Sequence, residues 1–311
     1  MKEREAPDDW TRSYFGRVYG EVYRRHLLPP ERARQEAEFA TAVLGLESGQ
    51  RVLDLAAGFG RHARLLARRL AVVALDQNKE YLRTARAGLR GRAARRLMAL
   101  AADMRTLPFA EAKFDAVLLL FNSFGYFHHE SGRMAGDIPE REMWRLPRVF
   151  YERNLVSADH GVYRISAPGG AAGAESSTVR APAADPNLQV LDEVARVLRR
   201  GGQFLMEQPN PGPVVAAVAE HPRRHFSVGR YSVEEEFRYD PARRVLENCT
   251  VFRGPEITER AQYMLRLYTR DELARALRAR GLRVVATFGD YAGTAYQARD
   301  SDCILLHARR A

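Results

Sequence analysis

Three aspartates stand where short apolar runs end: Asp54 in Val52-Leu53-Asp54-Leu55, Asp76 after Ala71 to Leu75, and Asp103 just past Leu97 to Ala101. Behind the first comes a turn of small residues, Ala56-Ala57-Gly58-Phe59-Gly60, and then the helical pattern Arg61-His62-Ala63-Arg64-Leu65-Leu66. Gly58, Gly60 and Ala63 satisfy the G-x-G-x-x-G/A spacing with which a strand, a tight turn and a helix present bare backbone to a nucleotide. Asp54 bears on which nucleotide. Four residues before Gly58, its charge opposes a pyrophosphate, which seeks the positive helix end and unopposed N–H groups, and it attracts a cation. S-adenosylmethionine carries an ammonium and a sulfonium, so an acid here suits it and does not suit a dinucleotide. Asp76 can accept from both hydroxyls of a ribose, which either cofactor has. Asp103 can accept from an adenine amino group while Met104 covers the ring.

These acids act together only if their strands lie side by side with carboxyl ends aligned. Val52 to Leu55, Ala71 to Leu75, Leu97 to Ala101 and Phe114 to Phe121 alternate with helical stretches such as Lys79 to Leu89. That rhythm predicts a parallel, doubly wound α/β sheet with its ligand at the carboxyl edge. It breaks from Ser131 to Asp185. The first half of this stretch carries Trp144, Leu146, Val149, Phe150, Tyr151 and Tyr163, and the second half, from Ala167, is mostly Ala, Gly, Pro and Ser. Residues 131–185 therefore read as an insertion after the fourth strand, partly of low complexity, placed where a lid or an association surface would sit. Asp185-Pro186 then starts a helix with the apolar face Leu188, Leu191, Val194 and Leu198, Gly201-Gly202 stops it, and Gln203 to Glu207 is the next strand.

Beyond Asn210, alternation at Glu234 to Tyr239, Val245 to Phe252 and Arg260 to Tyr268 predicts a small antiparallel sheet within 211–268. A helix from Thr269 to Arg280 ends at Gly281, and strands at Leu282 to Phe288 and Cys303 to His307 close the chain. The first 45 residues read as a helical cap with aromatics at Trp10, Tyr14, Phe15, Tyr19 and Tyr23, most of them on one stripe. The expected division is a cap at 1–45, a main domain at 46–130 and 186–311, and the insertion at 131–185.

Composition removes several classes. With 311 residues, 46% of them hydrophobic, the chain can bury a substantial core. Its longest apolar run, Ala116 to Phe121, is far too short for a bilayer, and Met1 to Asp9 lacks the apolar segment of a leader. Cys249 and Cys303 lie far apart without metal-ligand spacing, so neither a disulfide framework nor a metal site is expected. A soluble cytoplasmic protein without a membrane partner fits. The net charge of +10 raises the question of nucleic acid. Yet only Lys2, Lys79 and Lys113 of the 49 basic residues are lysines, and the arginines are spread through Ala-rich segments such as Arg83 to Arg96 and Arg275 to Arg283. Solvated helix faces explain such a distribution better than a nucleic-acid surface does. An RNA-directed role and an NAD-linked oxidoreductase are the alternatives.

Val52 to Gly60 with Arg61-His62, Ala74-Leu75-Asp76, Ala102-Asp103-Met104-Arg105, and Phe114-Asp115-Ala116-Val117 followed by Phe121 to Phe127 resemble class I S-adenosylmethionine-dependent methyltransferases. More narrowly, they resemble the bacterial small-molecule branch that includes natural-product and amino-sugar N-methyltransferases. It covers residues 10–130 and 187–308 and implies a mostly parallel, seven-stranded Rossmann-like sheet, S-adenosylmethionine as cofactor, and a small-molecule acceptor methylated on nitrogen or oxygen. Position by position, it implies Gly58 and Gly60 beside the methionine part, with Asp54 and Ala56 near its ammonium. Asp76 would hold the ribose, Gln77 would lie beside the adenine, and Asp103 and Met104 would sit at the adenine edge. Phe121 and Asn122 would lie beneath the sulfonium, and Tyr14 and Tyr19 would close the pocket from the amino-terminal side. Two features depart from the pattern: Ala56-Ala57 stand for the usual Gly-Cys or Pro-Cys pair, and the insertion has no counterpart.

A sulfonium is already activated, so the protein mainly holds the acceptor in line with the methyl and excludes water. A base is required only for a protonated nucleophile. His128 and Tyr126 are the candidate catalytic groups, because they follow the fourth strand where an acceptor should sit. The alternative is that His128 and His129 are loop residues and Tyr126 a packing residue. Candidate acceptor contacts are His129 with Tyr263, Arg266 and Tyr268, Arg266 being suited to an anionic group. The patterns leave a homo-oligomer open.

Overall fold

The computed structural model describes residues 15, 17–22, 28–127, 185–255 and 258–311. From the amino end run α1 (Arg17–Val22), α2 (Pro30–Val43), β1 (Arg51–Leu55), α3 (Arg61–Leu66), β2 (Ala71–Asp76), α4 (Lys79–Arg86), α5 (Gly91–Arg96), β3 (Leu97–Ala101) and β4 (Phe114–Leu119). The carboxyl-terminal half adds α6 (Leu188–Val197), β5 (Leu198–Pro209), α7 (Pro211–Glu220), β6 (Arg223–Val228), β7 (Tyr231–Asp240), β8 (Val245–Arg253), β9 (Thr258–Arg266), α8 (Arg270–Arg278), β10 (Leu282–Phe288) and β11 (Cys303–Arg310). The described helices and strands form a mixed α/β fold with two sheets.

Seven strands form the main sheet in the order β10-β11-β5-β4-β1-β2-β3. Neighbours from β3 to β5 are parallel, and β11 runs antiparallel to both β5 and β10. The mostly parallel, doubly wound sheet expected from the alternating pattern is therefore what forms. Apolar side chains alternate across it: Leu53, Val117, Leu119 and Phe204 meet α6 and α8 on one face, while Val52, Ala116, Leu118 and Leu205 meet α2 and α3 on the other. Burying each of the larger side chains contributes about 1.5–3 kcal/mol. Strand order reverses between β1 and β4, and a crevice opens at the carboxyl ends on either side of such a reversal.

The second sheet, in the order β6-β7-β8-β9, is wholly antiparallel. Its inner face is carried down onto the main sheet's carboxyl edge by two apolar clusters. Tyr231, Val233, Phe252 and Ala261 pack with Tyr19 and Val22 of α1, Phe59 of the glycine turn and Tyr81 of α4. Phe237, Leu246 and Leu265 pack with Tyr126 and with Val214, Val215 and Val218 of α7. At the seam, the Arg266 N–H donates to the Gly125 carbonyl at 2.8 Å. Only glycine fits there, since a Cβ on Gly125 would stand 2.6 Å from the Arg266 carbonyl oxygen.

Several boundaries differ from the sequence expectation. The helix before β5 ends at Val197, and Gly201-Gly202 lie inside the strand, in a bulge where Phe114 and Ala116 face Leu198 and Gln203. Neither α7 nor β6 was expected: α7 is a run of Val and Ala started by prolines, and β6, Arg-Arg-His-Phe-Ser-Val, is a half-polar edge strand with little alternation. The strand expected through Tyr268 stops at Arg266. Tyr14, His128, His129 and nearly all of the 131–185 segment lie outside the described residues. The two ends of that segment are nonetheless joined, because the Asn187 carboxamide accepts the Phe127 N–H at 2.9 Å and donates to the Phe127 carbonyl at 2.8 Å. Among the described residues no helix is long and apolar enough to cross a membrane.

Candidate active site

The glycine turn joins β1 to α3, and Asp76 organises it. Its carboxylate accepts the Gly58 N–H and the Asn78 N–H, each at 2.8 Å, so the ends of β1 and β2 are tied together. Burial raises the Asp76 pKa and these N–H donors oppose the rise. Asn78 caps α4 through the Glu80 and Tyr81 N–H groups, and its amide donates to the Phe15 carbonyl at 2.9 Å, which ties the amino-terminal segment to the same turn. The two glycines differ in surroundings. A Cβ on Gly60 would lie 2.5 Å from the Ala85 Cβ, so its bareness admits α4, whereas nothing lies within 4 Å of the Cβ position on Gly58.

Ala56 adopts φ 51°, left-handed backbone that costs a non-glycine residue about 1 kcal/mol. Ala56→Gly is expected to raise stability by about 0.5 kcal/mol, the steric relief being partly offset by glycine's greater unfolded-state entropy. Urea denaturation would measure it, and a loss of stability would contradict the argument.

Asp54 is buried at the end of β1, and its Oδ2 has no hydrogen-bond partner among the described residues. Burial pushes its pKa up to about 7; the Arg61 guanidinium opposes this and the Asp76 charge adds to it. Arg61 Nη2 and Asn122 Oδ1 are also buried without a partner among the described residues. Asp103 is differently occupied. Arg105 grips its carboxylate at 2.6–3.1 Å, which holds it below the usual range although burial works the other way. Met104 is buried in the main core, and Gln77 is exposed beside Asp76.

Beyond β4, Phe121 and Asn122 both take left-handed backbone, with φ 57° and 55°. The Arg61 and Arg32 guanidinium groups lie 4.8 and 5.4 Å from the Phe121 ring centroid. Both arginines pair with Glu36 of α2, which also contacts His62 Nε2 at 2.6 Å. Burial would raise the Glu36 pKa, but His62, Arg61 and Arg32 outweigh it and bring it down to about 2. His62 is driven down to about 4 by burial and by Arg61, against the pull of Glu36, so it stands neutral at pH 7.

On the roof, Tyr126 is half-buried between Phe15 and Tyr263, with ring centroids 5.7 and 5.8 Å away. Burial raises its pKa, so it is a neutral phenol. Tyr19 packs edge-on against Phe15 at 5.1 Å. Arg266 and Tyr268 are brought together, the guanidinium 4.8 Å from the Tyr268 ring centroid with both groups on Asp185, whereas Tyr263 stands apart from them. Tyr263 faces inward, Arg266 is held by Asp185 and Glu272, and Tyr268 lies in the main core donating to Asp185 at 2.6 Å. Arg266 is therefore paired with two carboxylates at 3.5–3.6 Å, while its buried Nε has no hydrogen-bond partner among the described residues. Sequence reasoning passed over Glu36, Arg61, Asn78, Glu207 and Tyr291. The signal for Glu207 was present, since it is a fourth acid at the end of an apolar strand.

Residues 52–137 match the family described as a methyltransferase domain. Among solved structures, the CcbJ methyltransferase from Streptomyces caelestis is 16% identical, covering 96% of this chain and 98% of its own at a TM-score of 0.67. An S-adenosylmethionine-dependent methyltransferase from Clostridium acetobutylicum is 13% identical, with 94% and 96% covered and a TM-score of 0.61. The amino pentose methyltransferase CalS10 from Micromonospora echinaspora, solved with S-adenosylmethionine bound, is 17% identical, with 95% and 98% covered and a TM-score of 0.54. No curated relative matches the chain. The likenesses establish the fold, and the family match sets aside the oxidoreductase reading of Gly58 and Gly60. A methyltransferase domain thus occupies the stretch that carries β1 to β4, on a fold shared with S-adenosylmethionine-dependent methyltransferases of known structure.

Proposed function

We propose that the protein methylates nitrogen or oxygen of a small-molecule acceptor, within a domain formed by 46–130 and 186–311 and capped by 1–45. The observation that carries the reading is the roof: α1 and the antiparallel sheet are sealed over the carboxyl edge by apolar packing on Phe59, Tyr81 and Tyr126. Such a cover suits an acceptor that can be enclosed and kept from water. CalS10, whose acceptor is an amino pentose, shares the fold.

The residues present fit the cofactor. Its zwitterionic methionine part needs an anion and a cation, and Asp54 Oδ2 and Arg61 Nη2 are a buried acceptor and donor lacking partners among the described residues. Gly58 leaves room for close approach, and Gly60 and Ala56 shape the turn. Asp76 and Gln77 would serve the ribose and adenine side, with Asp103 and Met104 beyond them. Asn122 and Phe121 would lie beneath the sulfonium, with Tyr19 and Tyr14 closing the amino-terminal side. Bound S-adenosylmethionine supplies a methyl on a cationic sulfur, already activated for displacement. Tyr126 and Tyr263 wall the acceptor space; Tyr126 can donate a hydrogen bond, and a proton leaving the acceptor would go to His128 or His129. Arg266 and Tyr268 would act only by holding this wall in place.

Incubating the protein with methyl-labelled S-adenosylmethionine, a panel of amines and hydroxylated metabolites, and bacterial RNA tests the reading. Label on a small molecule is expected. Label on RNA alone would overturn it in favour of an RNA-directed enzyme.

A further inference from the structure

Two successive non-glycine residues in left-handed backbone, Phe121 and Asn122, cost about 1–2 kcal/mol each and persist only where the surroundings enforce them. The enforcing group is Glu207, near the end of β5. Its Oε2 accepts the Phe121 N–H at 2.5 Å and the Tyr291 O–H at 2.6 Å, and the side chain is almost wholly buried. Next to it, Gln208 Nε2 donates to the Phe124 carbonyl at 3.1 Å, so both residues at this strand end grip the chain leaving β4. Tyr291 is itself fixed by edge-on packing against Phe39 at 5.4 Å. The outcome is an Asn122 Oδ1 that is buried and has no donor among the described residues. An acceptor held in that state, with a buried carboxylate bound to the N–H of the residue before it, is preorganised for a cation.

We propose that Glu207 is a positioning residue that sets the Phe121–Asn122 turn so that it discriminates a sulfonium from a neutral thioether. The idea rests on the placement of these two residues beneath the sulfonium. It distinguishes the substrate cofactor from its demethylated product, S-adenosylhomocysteine, which has the same adenosine and amino-acid parts and lacks only the methyl and its charge. Glu207 touches neither. It acts through the Phe121 N–H.

Calorimetric titration of the full chain with S-adenosylmethionine and with S-adenosylhomocysteine tests this in the wild type, Glu207→Gln and Tyr291→Phe. Glu207→Gln is expected to weaken S-adenosylmethionine about tenfold and Tyr291→Phe about threefold. The affinity for S-adenosylhomocysteine should change less than either, so that the ratio of the two dissociation constants shifts. A purely structural role would weaken both ligands alike, and that result, or an unchanged ratio in both variants, would overturn the proposal. Tyr291→Phe keeps the ring and its packing, and it decides the matter alone should Glu207→Gln fail to fold. A wild type that bound neither ligand would instead overturn the placement of the cofactor.

Discussion

Asp54→Asn is expected to bind S-adenosylmethionine at least about 30-fold more weakly than the wild type, while the ligand-free variant unfolds at a higher temperature at pH 8. The first effect follows from losing a charge-assisted contact to the ammonium, on the order of 2 kcal/mol. The second follows from the state of Asp54 without ligand, where it is buried with an unpartnered Oδ2 and its pKa stands at about 7 against 3.8. A raised carboxyl pKa means that the fold prefers the neutral form. The stabilisation it brings is complete below pH 3.8 and is lost as pH rises through 7, a swing on the order of 4 kcal/mol. Asparagine keeps the shape without the charge and should recover about 2 kcal/mol at pH 8. A cationic ligand reverses the preference, so wild-type affinity should climb with pH up to about 7 and then level off, by at most about tenfold per pH unit. The asparagine variant should show no such rise. Calorimetry at several pH values and a thermal melt check all three, and wild-type affinity in Asp54→Asn would end the argument for this residue.

Legibility followed the range of the interactions. The parallel sheet could be read because a strand covered on both faces is a continuous apolar run, and β1, β2 and β3 each announce their end by a carboxylate or a turn. Local hydrogen bonding was as visible: Asp76 reaches Asn78 two residues on, and Thr269 reaches Glu272. What could not be read depends on distant partners. Glu207 meets Phe121 and Tyr291 across 86 and 84 residues, and Glu36 meets His62 across 26. Glu36 also sits in a helix whose other glutamates are surface residues, so its own burial has no mark in the sequence. Arg266 looked free because its carboxylates, Asp185 and Glu272, come from other elements. On β9, Tyr263 and Arg266 are three residues apart and so fall on opposite faces of the sheet, which the two-residue period of a strand already dictates.

Glu36→Ala is expected to cost about 3–5 kcal/mol at pH 7, more than any other single change considered. Glu36 is 1% exposed and lies against Arg32, Arg61 and His62. Removing it leaves two guanidinium groups packed against Phe121 with their counter-charge gone, the situation in which breaking a buried pair is most destabilising. The pH dependence has a definite sign. Glu36 titrates at about 2 instead of 4.5, so its contribution is present above pH 4.5 and is lost as pH falls through 2. His62 titrates at about 4 instead of 6.5; the unfolded chain takes up a proton first, and stability falls as pH drops from 6.5 to 4. The joint contribution of Glu36 and His62 should therefore decline below pH 6.5 in two stages, the upper one opposed by the gain from protonating Asp54 over the same range. In the alanine variant the lower stage disappears. Urea denaturation at pH 7 and pH 4, with an unchanged m-value to show that the unfolded state is the same, gives both quantities. A loss below about 1 kcal/mol at pH 7 would mean that desolvating these charges cancels their attraction, leaving the cluster to orient Arg61 and Phe121 without adding to stability.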